Sequence, residues 1–164
     1  MSLTLVAPSD MVSLIRDLLE IELDAIDAYL AAIRRIRDPD AATRLREFVA
    51  VHHRQVRDLA ECMRQHGGRP PTDGDFERVL SRGRGMIVGL VDDRAILAVI
   101  VESEADAEAA YEACLADLAD VGDEETGRLR EVVNRGLEDG RRHTAWLQQA
   151  ILALQAHLRI VEPV

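Results

Sequence analysis

The chain has 164 residues, a formal net charge of −10, and a composition that is 48% apolar but only 3% aromatic. The length predicts a single domain over residues 1–164, and the scarcity of aromatic side chains favours helices packed on helices over a sheet. The acidic balance argues against nucleic acid and anionic membranes as partners, because binding to phosphate requires a basic face. We therefore expect an all-α protein with neither partner.

The sequence also lacks the signals of export and membrane insertion. Its N-terminus has no basic segment followed by an apolar one, and no apolar run approaches the roughly 18 residues of a membrane span. The two cysteines, Cys62 and Cys114, stand alone, which predicts small buried side chains rather than a disulfide or a zinc site. A soluble cytoplasmic protein is the expectation.

Apolar residues at helical spacing predict five helices in chain order. Asp38-Pro39 ends the first helix, Asp40 is suited to cap the second, Gly67-Gly68 ends the second, and Asp123 caps the last. The third helix is short and interrupted by glycine, so it serves as a crossover between two hairpins of long helices. This plan is the ferritin-like form of the four-helix bundle. The predicted helices span about residues 9–37, 40–66, 75–90, 93–121 and 123–160.

Two stretches of the chain are similar to each other. ELDAIDAYLAAI at residues 22–33 and EADAEAAYEACL at residues 104–115 agree at six of twelve positions. In each stretch the opening Glu precedes a Tyr by seven residues, which pairs Glu22 with Tyr29 and Glu104 with Tyr111. The repeat predicts two similar hairpins, related by a pseudo-two-fold axis, around a shared interior.

Four polar residues interrupt the apolar stripes of the long helices. They are Glu22, His52, Glu104 and His143. Burying an unpaired carboxylate costs roughly several kcal/mol, so these residues must pair with one another, take up protons or bind a metal. Counting from the two turns, at about 1.5 Å per residue, places each Glu within about one or two helical turns of a His. Carboxylate and imidazole ligands suit iron, manganese or zinc.

These segments resemble a known superfamily. LEIELDAIDAYL at residues 19–30 resembles the first helix of ferritins, bacterioferritins and rubrerythrins, in which a metal-binding Glu precedes a Tyr by seven residues. The resemblance implies a ferritin-like bundle over nearly the whole chain, with Glu22 and Glu104 as metal ligands. Three further stretches resemble an uncharacterised bacterial family of ferritin-like proteins with a two-repeat helix plan, namely HGGRPPTDGDFERVL (66–80), DDRAILAVIVESEADAEAAYEACL (92–115) and EDGRRHTAWLQQ (138–149).

The chain departs from the di-iron members of that superfamily. Their second and fourth helices each carry Glu-x-x-His, whereas here Ala50 lies three residues before His53 and Gly140 three residues before His143. Asp139 is the one nearby carboxylate that can substitute. We therefore expect a single metal ion or none, rather than a di-iron ferroxidase centre, and we do not predict iron storage.

Some side-chain assignments stay open at this level. His52 and His53 are adjacent, so only one points fully inward; helical phase favours His52, and the Glu-x-x-His analogy favours His53. Tyr29 and Tyr111 are expected to be core tyrosines whose hydroxyls bond carboxylates. They would support the metal-binding Glu104 and Glu22, as Asp139 also would. Gly136 and Gly140 share the stripe of His143, where we expect neighbouring side chains, rather than a cavity, to fill the space.

Two functions follow from these features. The first is an uncharacterised ferritin-like protein that binds one Fe, Mn or Zn ion through Glu22, Glu104, His143 and either His52 or His53. The second is a metal-free structural or stress-associated bundle in which the buried Glu and His residues pair with each other. Whether the chain is an enzyme stays open. The apolar residues Ile87, Val88 and Leu90 need cover, which predicts a homodimer or another homo-oligomer.

Overall fold

The computed structural model describes residues 8–72 and 82–161, and their side chains over 10–72 and 84–156. These ranges are all-helical and contain no strand. Four long helices and one short helix follow one another, as the apolar periodicity predicts. They are α1 (Pro8–Ile33), α2 (Pro39–Gln65), α3 (Arg82–Ile87), α4 (Asp93–Asp117) and α5 (Glu124–Val161).

The turn between α1 and α2 begins earlier than predicted. Helix α1 ends at Ile33 rather than at residue 37, and the cap of α2 is Asp38 rather than Asp40, so that prediction was wrong. The Asp38 carboxylate accepts hydrogen bonds from the backbone amides of Asp40 and Ala41, at 2.9 and 3.1 Å. Pro39 then occupies the first helical position, where its fixed φ suits a helix and its missing N–H is not needed.

The other boundaries follow their predicted signals more closely. Gly67 adopts φ +75° after α2, and the amide of Gly68 donates to the Met63 carbonyl at 2.8 Å, which confirms the glycine stop. Asp123 caps α5 as predicted, because its carboxylate accepts from the amide and the hydroxyl of Thr126, both at 2.8 Å. The predicted crossover helix over 75–90 is observed as α3, and residues 73–81 lie outside the described ranges.

Helix α4 ends at Asp117, before the predicted residue 121. The guanidinium of Arg130, on α5, donates to the carbonyls of Leu118 and Val121 at 2.5 and 2.7 Å. These bonds satisfy carbonyl groups beyond the end of α4, which would otherwise need amide donors from a longer helix. The shorter α4 is therefore stabilised by a side chain of the next helix, nine to twelve residues further along the chain, which helical periodicity alone does not reveal.

The long helices form two hairpins that pack on each other. Helices α1 and α2 form one hairpin and α4 and α5 the other; α1 lies against α4, α2 lies against α5, and α3 packs on α1 and α4. The carboxylate of Asp93, at the start of α4, accepts from the backbone amides of Arg37 and Asp38 at 3.0 to 3.1 Å. This contact fixes the turn of the first hairpin against the beginning of the second.

The core consists of two apolar clusters with a polar layer between them. One cluster contains Ile26, Val49, Ile100 and Leu147, and the other contains Leu19, Leu59, Tyr111 and Leu137. Every long helix passes from one cluster to the other at its buried Glu or His. Cys62 and Cys114 lie in the second cluster as small buried side chains, as predicted. Within the described residues, none of the helices combines the length and apolar content needed to cross a membrane.

Candidate metal centre

All four polar residues predicted to face the interior are buried. Glu22, His52, Glu104 and His143 are between 2% and 3% exposed, whereas the neighbouring His53 is exposed. The helical phase of the α2 stripe, which favours His52, is therefore confirmed. The Glu-x-x-His analogy, which favours His53, is wrong. One polar residue comes from each long helix, so the site depends on packing between the two hairpins.

Glu104 is the centre of the hydrogen-bond network. Its Oε1 accepts from the Tyr29 hydroxyl at 2.5 Å, from His143 Nδ1 at 3.0 Å and from His52 Nε2 at 3.3 Å. Charge-assisted bonds of this kind are stronger than neutral ones, and three of them offset much of the desolvation of a buried carboxylate. One oxygen of Glu104 thus joins α1, α2, α4 and α5.

Glu22 occupies the matching position in the other half of the repeat. Its Oε1 accepts from the Tyr111 hydroxyl at 2.6 Å, and its Oε2 accepts from His52 Nδ1 at 2.8 Å. Each tyrosine therefore bonds the Glu of the other repeat, so the two hydrogen bonds connect the two hairpins. That each hydroxyl finds a carboxylate is what the sequence predicted for core tyrosines.

Gln55 is a member of this layer that the sequence reasoning missed. It is 4% exposed, and with its amide nitrogen facing Glu22 it donates to Oε2 at 2.8 Å and Oε1 at 3.2 Å. Gln55 lies three residues after His52, on the same face of α2. That spacing is the signal that could have identified it, because residues three apart on a helix share a face.

His52 bridges the two carboxylates and carries both ring protons in the absence of metal. Burial alone lowers the pKa of an imidazole, but hydrogen bonds to Glu104 and Glu22, with their negative charges, raise the pKa of His52 to about 10. Burial likewise raises the pKa of a carboxyl group, but hydrogen bonds from His143 and His52 lower the pKa of Glu104 to about 2. The metal-free layer therefore contains an ionised Glu104 beside an imidazolium.

The two tyrosines remain protonated donors. Burial raises the pKa of Tyr29 well above its ordinary value, and the negative charge of Glu104 raises it further. Burial and the negative charge of Glu22 act in the same direction on the pKa of Tyr111. Both hydroxyls therefore supply a proton to a carboxylate oxygen and do not add negative charge to the site.

Aromatic packing orients the imidazole rings. His143 stacks on Phe48 with a centroid separation of 4.0 Å and an interplanar angle of 27°. The Tyr29 ring lies 5.1 Å from the His52 ring and meets Phe48 edge-on at 6.2 Å. These contacts, together with the bonds to Glu104, leave each imidazole little freedom to turn away from the carboxylate.

The two glycines on the α5 stripe, Gly136 and Gly140, have different surroundings. A β-carbon at Gly136 would lie 2.2 Å from Cε1 of Tyr111, so the tyrosine ring fills the space that glycine leaves. A β-carbon at Gly140 would lie 3.4 Å from Glu104 Oε2 and 3.5 Å from Glu108 Cγ, which are ordinary contacts. The expectation of a neighbouring side chain is confirmed at Gly136, while Gly140 borders a space large enough for a methyl group.

Three of the buried residues present ligand atoms close enough to hold one metal ion. Those of His52, Glu104 and His143 all lie within 4.8 Å of one another, and no other such group occurs among the described residues. Glu22 lies outside this group, because it bonds Nδ1 on the opposite side of the His52 ring. Asp139 lies outside it as well, since it forms ion pairs with Arg54 and Arg142.

Comparison with known proteins places the chain in a family. Residues 10–117 match the model of a family described as a domain of unknown function, DUF2383. The chain belongs to this family. The DUF2383 match ends where α4 ends and therefore includes Glu22, His52 and Glu104 but not His143. Neither a curated protein nor a solved structure matches the chain. The family description assigns no activity, so the resemblance to ferritin-like proteins stays a prediction.

Two of the donor-atom separations in this family member match those around a transition-metal ion. Ligand atoms about 2.0 to 2.2 Å from one ion lie roughly 2.8 to 3.6 Å from their neighbours in tetrahedral or octahedral geometry. The separations of Glu104 Oε1 from His143 Nδ1 and His52 Nε2, 3.0 and 3.3 Å, fall in that interval. The same atoms are therefore placed for hydrogen bonding when the nitrogens carry protons, and they could hold a metal ion when the nitrogens do not.

Proposed function

We propose that the chain is a ferritin-like four-helix bundle that binds one transition-metal ion through His52, Glu104 and His143. The observation that carries this proposal is the buried group of three ligand atoms within 4.8 Å of one another. The packing of two hairpins and the reciprocal Tyr-Glu bonds support the bundle with its pseudo-two-fold arrangement. Two imidazoles and one carboxylate form a donor set that suits iron, manganese or zinc.

In this proposal Glu22 orients a ligand and does not bind the metal itself. Its Oε2 accepts the Nδ1 proton of His52, which leaves Nε2 of that ring as the atom facing Glu104 and His143. A carboxylate behind a ligating imidazole fixes its tautomer and raises its basicity, and removing such a partner lowers metal affinity by about 10- to 100-fold. Gln55 and Tyr111 hold Glu22 in that position.

A single ion is favoured over a pair. The Glu residues of the Glu-x-x-His motifs are replaced by Ala50 and Gly140, and Asp139, the remaining carboxylate near His143, is engaged by two arginines. Three protein ligands leave open positions for water or a small substrate, and a metal held in this way supplies Lewis acidity or, for iron and manganese, one-electron redox chemistry.

Metal stoichiometry tests the proposal. The chain is purified without a histidine tag, stripped with a chelator and titrated with Mn²⁺, Zn²⁺ or anaerobic Fe²⁺, and bound metal is measured by elemental analysis after desalting. We expect one equivalent in the wild type and none in His143→Ala or Glu104→Gln. Glu22→Gln should keep the stoichiometry but bind about 10- to 100-fold more weakly.

His53 offers a matched control. It adjoins His52 but is exposed, so His53→Ala removes an imidazole from the same helix without touching the buried layer. We expect this variant to bind metal like the wild type. Absence of metal in the wild type, two equivalents per chain, or equal loss in His53→Ala and His143→Ala would refute the site.

A metal-free structural bundle is the alternative function, and one observation favours it. Each nitrogen of His52 already faces a carboxylate oxygen, and Glu104 already accepts three hydrogen bonds. The layer is therefore satisfied without a metal. Melting temperature separates the two functions, since a metal that binds only the folded state must raise it. No shift with any of the three ions, and unfolding of Glu104→Gln, would support the structural function.

Self-association stays a prediction. Ile87 is buried in the core, contrary to its expected place on an open apolar flank, because α3 packs on α1 and α4. Leu90 is half-buried, and Val88 is 53% exposed. The mass of the purified chain in solution, measured by light scattering, tests the predicted homodimer or other homo-oligomer. Fractionation of cells tests the predicted cytoplasmic location.

A further inference from the structure

The two oxygens of the Glu104 carboxylate have different surroundings. Oε1 accepts hydrogen bonds from Tyr29, His52 and His143. Oε2 accepts none from the described residues and faces Gly140 on α5, where a β-carbon would lie 3.4 Å from it. Oε2 of a residue that is only 2% exposed therefore lies, without a donor among the described residues, beside the methyl-sized space left by glycine.

Glu108 borders the same space. Its Cγ lies 3.5 Å from the position of a β-carbon at Gly140, and its Oε1 accepts a hydrogen bond from the Thr144 hydroxyl at 2.7 Å. Thr144 lies one helical turn after Gly140 and is half-buried, as is Glu108. The bond to Thr144 holds the Glu108 carboxylate against α5, next to the methyl-sized space beside Glu104.

These residues belong to a graded series of carboxylates along α4. Glu104, Glu108 and Glu112 follow one another at intervals of four residues, so they share one face of the helix. The first is buried, the second half-buried and the third exposed, and each contacts α5, through His143, Thr144 and Arg141 respectively. The three carboxylates therefore extend from the surface, where Arg141 pairs with Glu112, to Oε2 of the buried Glu104.

We propose that divalent metal ions reach the buried site between α4 and α5, past Gly140, with Glu108 as a transient ligand that passes them to Glu104 Oε2. This inference rests on the metal site proposed above. Carboxylate oxygens attract a divalent ion and replace water in its coordination shell, and Oε2 is the ligand oxygen not occupied by donors. Glycine at position 140 keeps the passage open, because any side chain there would stand in front of Oε2.

Loading kinetics test the route. The ring centroid of the single Trp, Trp146, lies 5.6 Å from that of Phe48, on which His143 stacks. The fluorescence of Trp146 should therefore report binding of the paramagnetic ion Co²⁺. Metal-free, tag-free full-length chain is mixed with Co²⁺ in a stopped-flow instrument, and release is followed after adding EDTA. We expect Glu108→Gln to slow loading by roughly tenfold, the lower end of what local charge contributes to association rates. Gly140→Ala should slow loading as well, because its methyl group stands in front of Oε2. Release should slow equally, so the affinity stays unchanged.

Two control variants exclude general effects. Glu102→Gln removes one negative charge from an exposed position on α4, and Gly127→Ala adds a methyl group to α5 where no atom lies within 4 Å. Both should load at the wild-type rate. Wild-type rates in Glu108→Gln and Gly140→Ala, or slowing no greater than in the controls, would overturn the route. So would a loss of affinity matching the loss of rate, since Glu108 would then hold the bound ion. If the wild type binds neither Co²⁺ nor Mn²⁺, Zn²⁺ or Fe²⁺ at equilibrium, the metal site itself fails and the route with it.

Discussion

At the scale of single residues, each buried carboxylate is supported by a tyrosine from the opposite hairpin. Tyr29 on α1 bonds Glu104 on α4, and Tyr111 on α4 bonds Glu22 on α1. Because burial raises the pKa of both hydroxyls, they act only as donors. The seven-residue spacing of Glu and Tyr in each repeat therefore links the two hairpins and does not pair residues within one helix.

Removing one hydroxyl should destabilise the protein by a measurable amount. Hydrogen bonds to charged groups contribute about 1.5 to 3 kcal/mol, and Tyr29→Phe or Tyr111→Phe leaves the ring and its packing in place. We expect each variant to lower the free energy of unfolding in urea by that amount. Unchanged unfolding midpoints in both variants would show that the bonds do not stabilise the fold.

The stability of the metal-free protein should depend on pH through His52 and Glu104. The pKa of His52 is raised from 6.5 to about 10, so its contribution is complete below about pH 6.5 and is lost as the pH rises through about 10. The pKa of Glu104 is lowered from 4.5 to about 2, so its contribution is complete above about pH 4.5 and is lost as the pH falls through about 2. Both contributions are complete only between about pH 4.5 and 6.5.

Urea unfolding in the presence of EDTA checks this profile. We expect the free energy of unfolding to decline from about pH 6.5 towards pH 10 in the wild type, because the folded state binds a proton at His52 that the unfolded state has released. His52→Gln lacks this proton and should show a flatter profile over the same interval. An equal decline in the variant would assign the effect to other groups.

At the scale of elements, helix α5 contains three glycines whose surroundings differ. Gly136 gives its space to the Tyr111 ring, Gly140 borders Glu104, and Gly127 has open space around it. Glycine in a helix interior costs roughly 0.5 to 1 kcal/mol relative to alanine, so its presence at 136 requires a tertiary reason. That reason is the ring of a residue on another helix, which inserts between α4 and α5.

Alanine substitutions distinguish these surroundings. Gly136→Ala should destabilise the protein by about 1 to 3 kcal/mol despite its better helix propensity, because the new methyl group displaces the Tyr111 ring. Gly127→Ala should stabilise it by about 0.4 to 1 kcal/mol, since the helix gains propensity without a contact. Thermal unfolding of the two variants measures both effects. A stable Gly136→Ala with Tyr111 undisturbed would contradict the packing described for this helix.

At the scale of the whole molecule, a charged layer divides two apolar clusters. An apolar layer of similar volume would serve stability as well or better, because buried ion pairs are costly to desolvate. The layer is therefore hard to explain by stability alone. The metal site proposed above supplies a reason for keeping it, because its ligand atoms must lie at the centre of the bundle.

A combined variant that replaces the four buried Glu and His residues and the two tyrosines tests this reasoning. We expect the combined variant to be as stable as the wild type or about 1 to 4 kcal/mol more stable, and to bind no metal. Glu104→Leu alone should cost about 3 to 5 kcal/mol, because it leaves charged and polar partners unpaired. Urea unfolding and metal titration give both readouts, and a combined variant that fails to fold would assign the layer a structural role. Its substitutions are Glu22→Leu, His52→Leu, Glu104→Leu, His143→Leu, Tyr29→Phe and Tyr111→Phe.

Helical periodicity predicted much of this architecture because it is a local property. The stripes through Leu19 and Leu59 identified four long helices and the polar residues that interrupt them, and helical phase favoured His52 over His53. The turn residues Gly67 and Asp123 were recognised for the same reason, since capping depends on a few neighbouring residues. The sequence by itself thus determined which faces of the helices are buried and which polar residues share the interior.

Only the tertiary structure decided how those residues meet, because lateral distances between helices are not encoded in spacing along one helix. In the folded chain one nitrogen of His52 bonds Glu22 and the other bonds Glu104. Gln55 bonds Glu22, and Asp139 forms ion pairs with two arginines. Among the described residues the tertiary structure also left Oε2 of Glu104 without a donor. These outcomes depend on which side chains from separate helices reach the same point, and packing of the complete chain settles that.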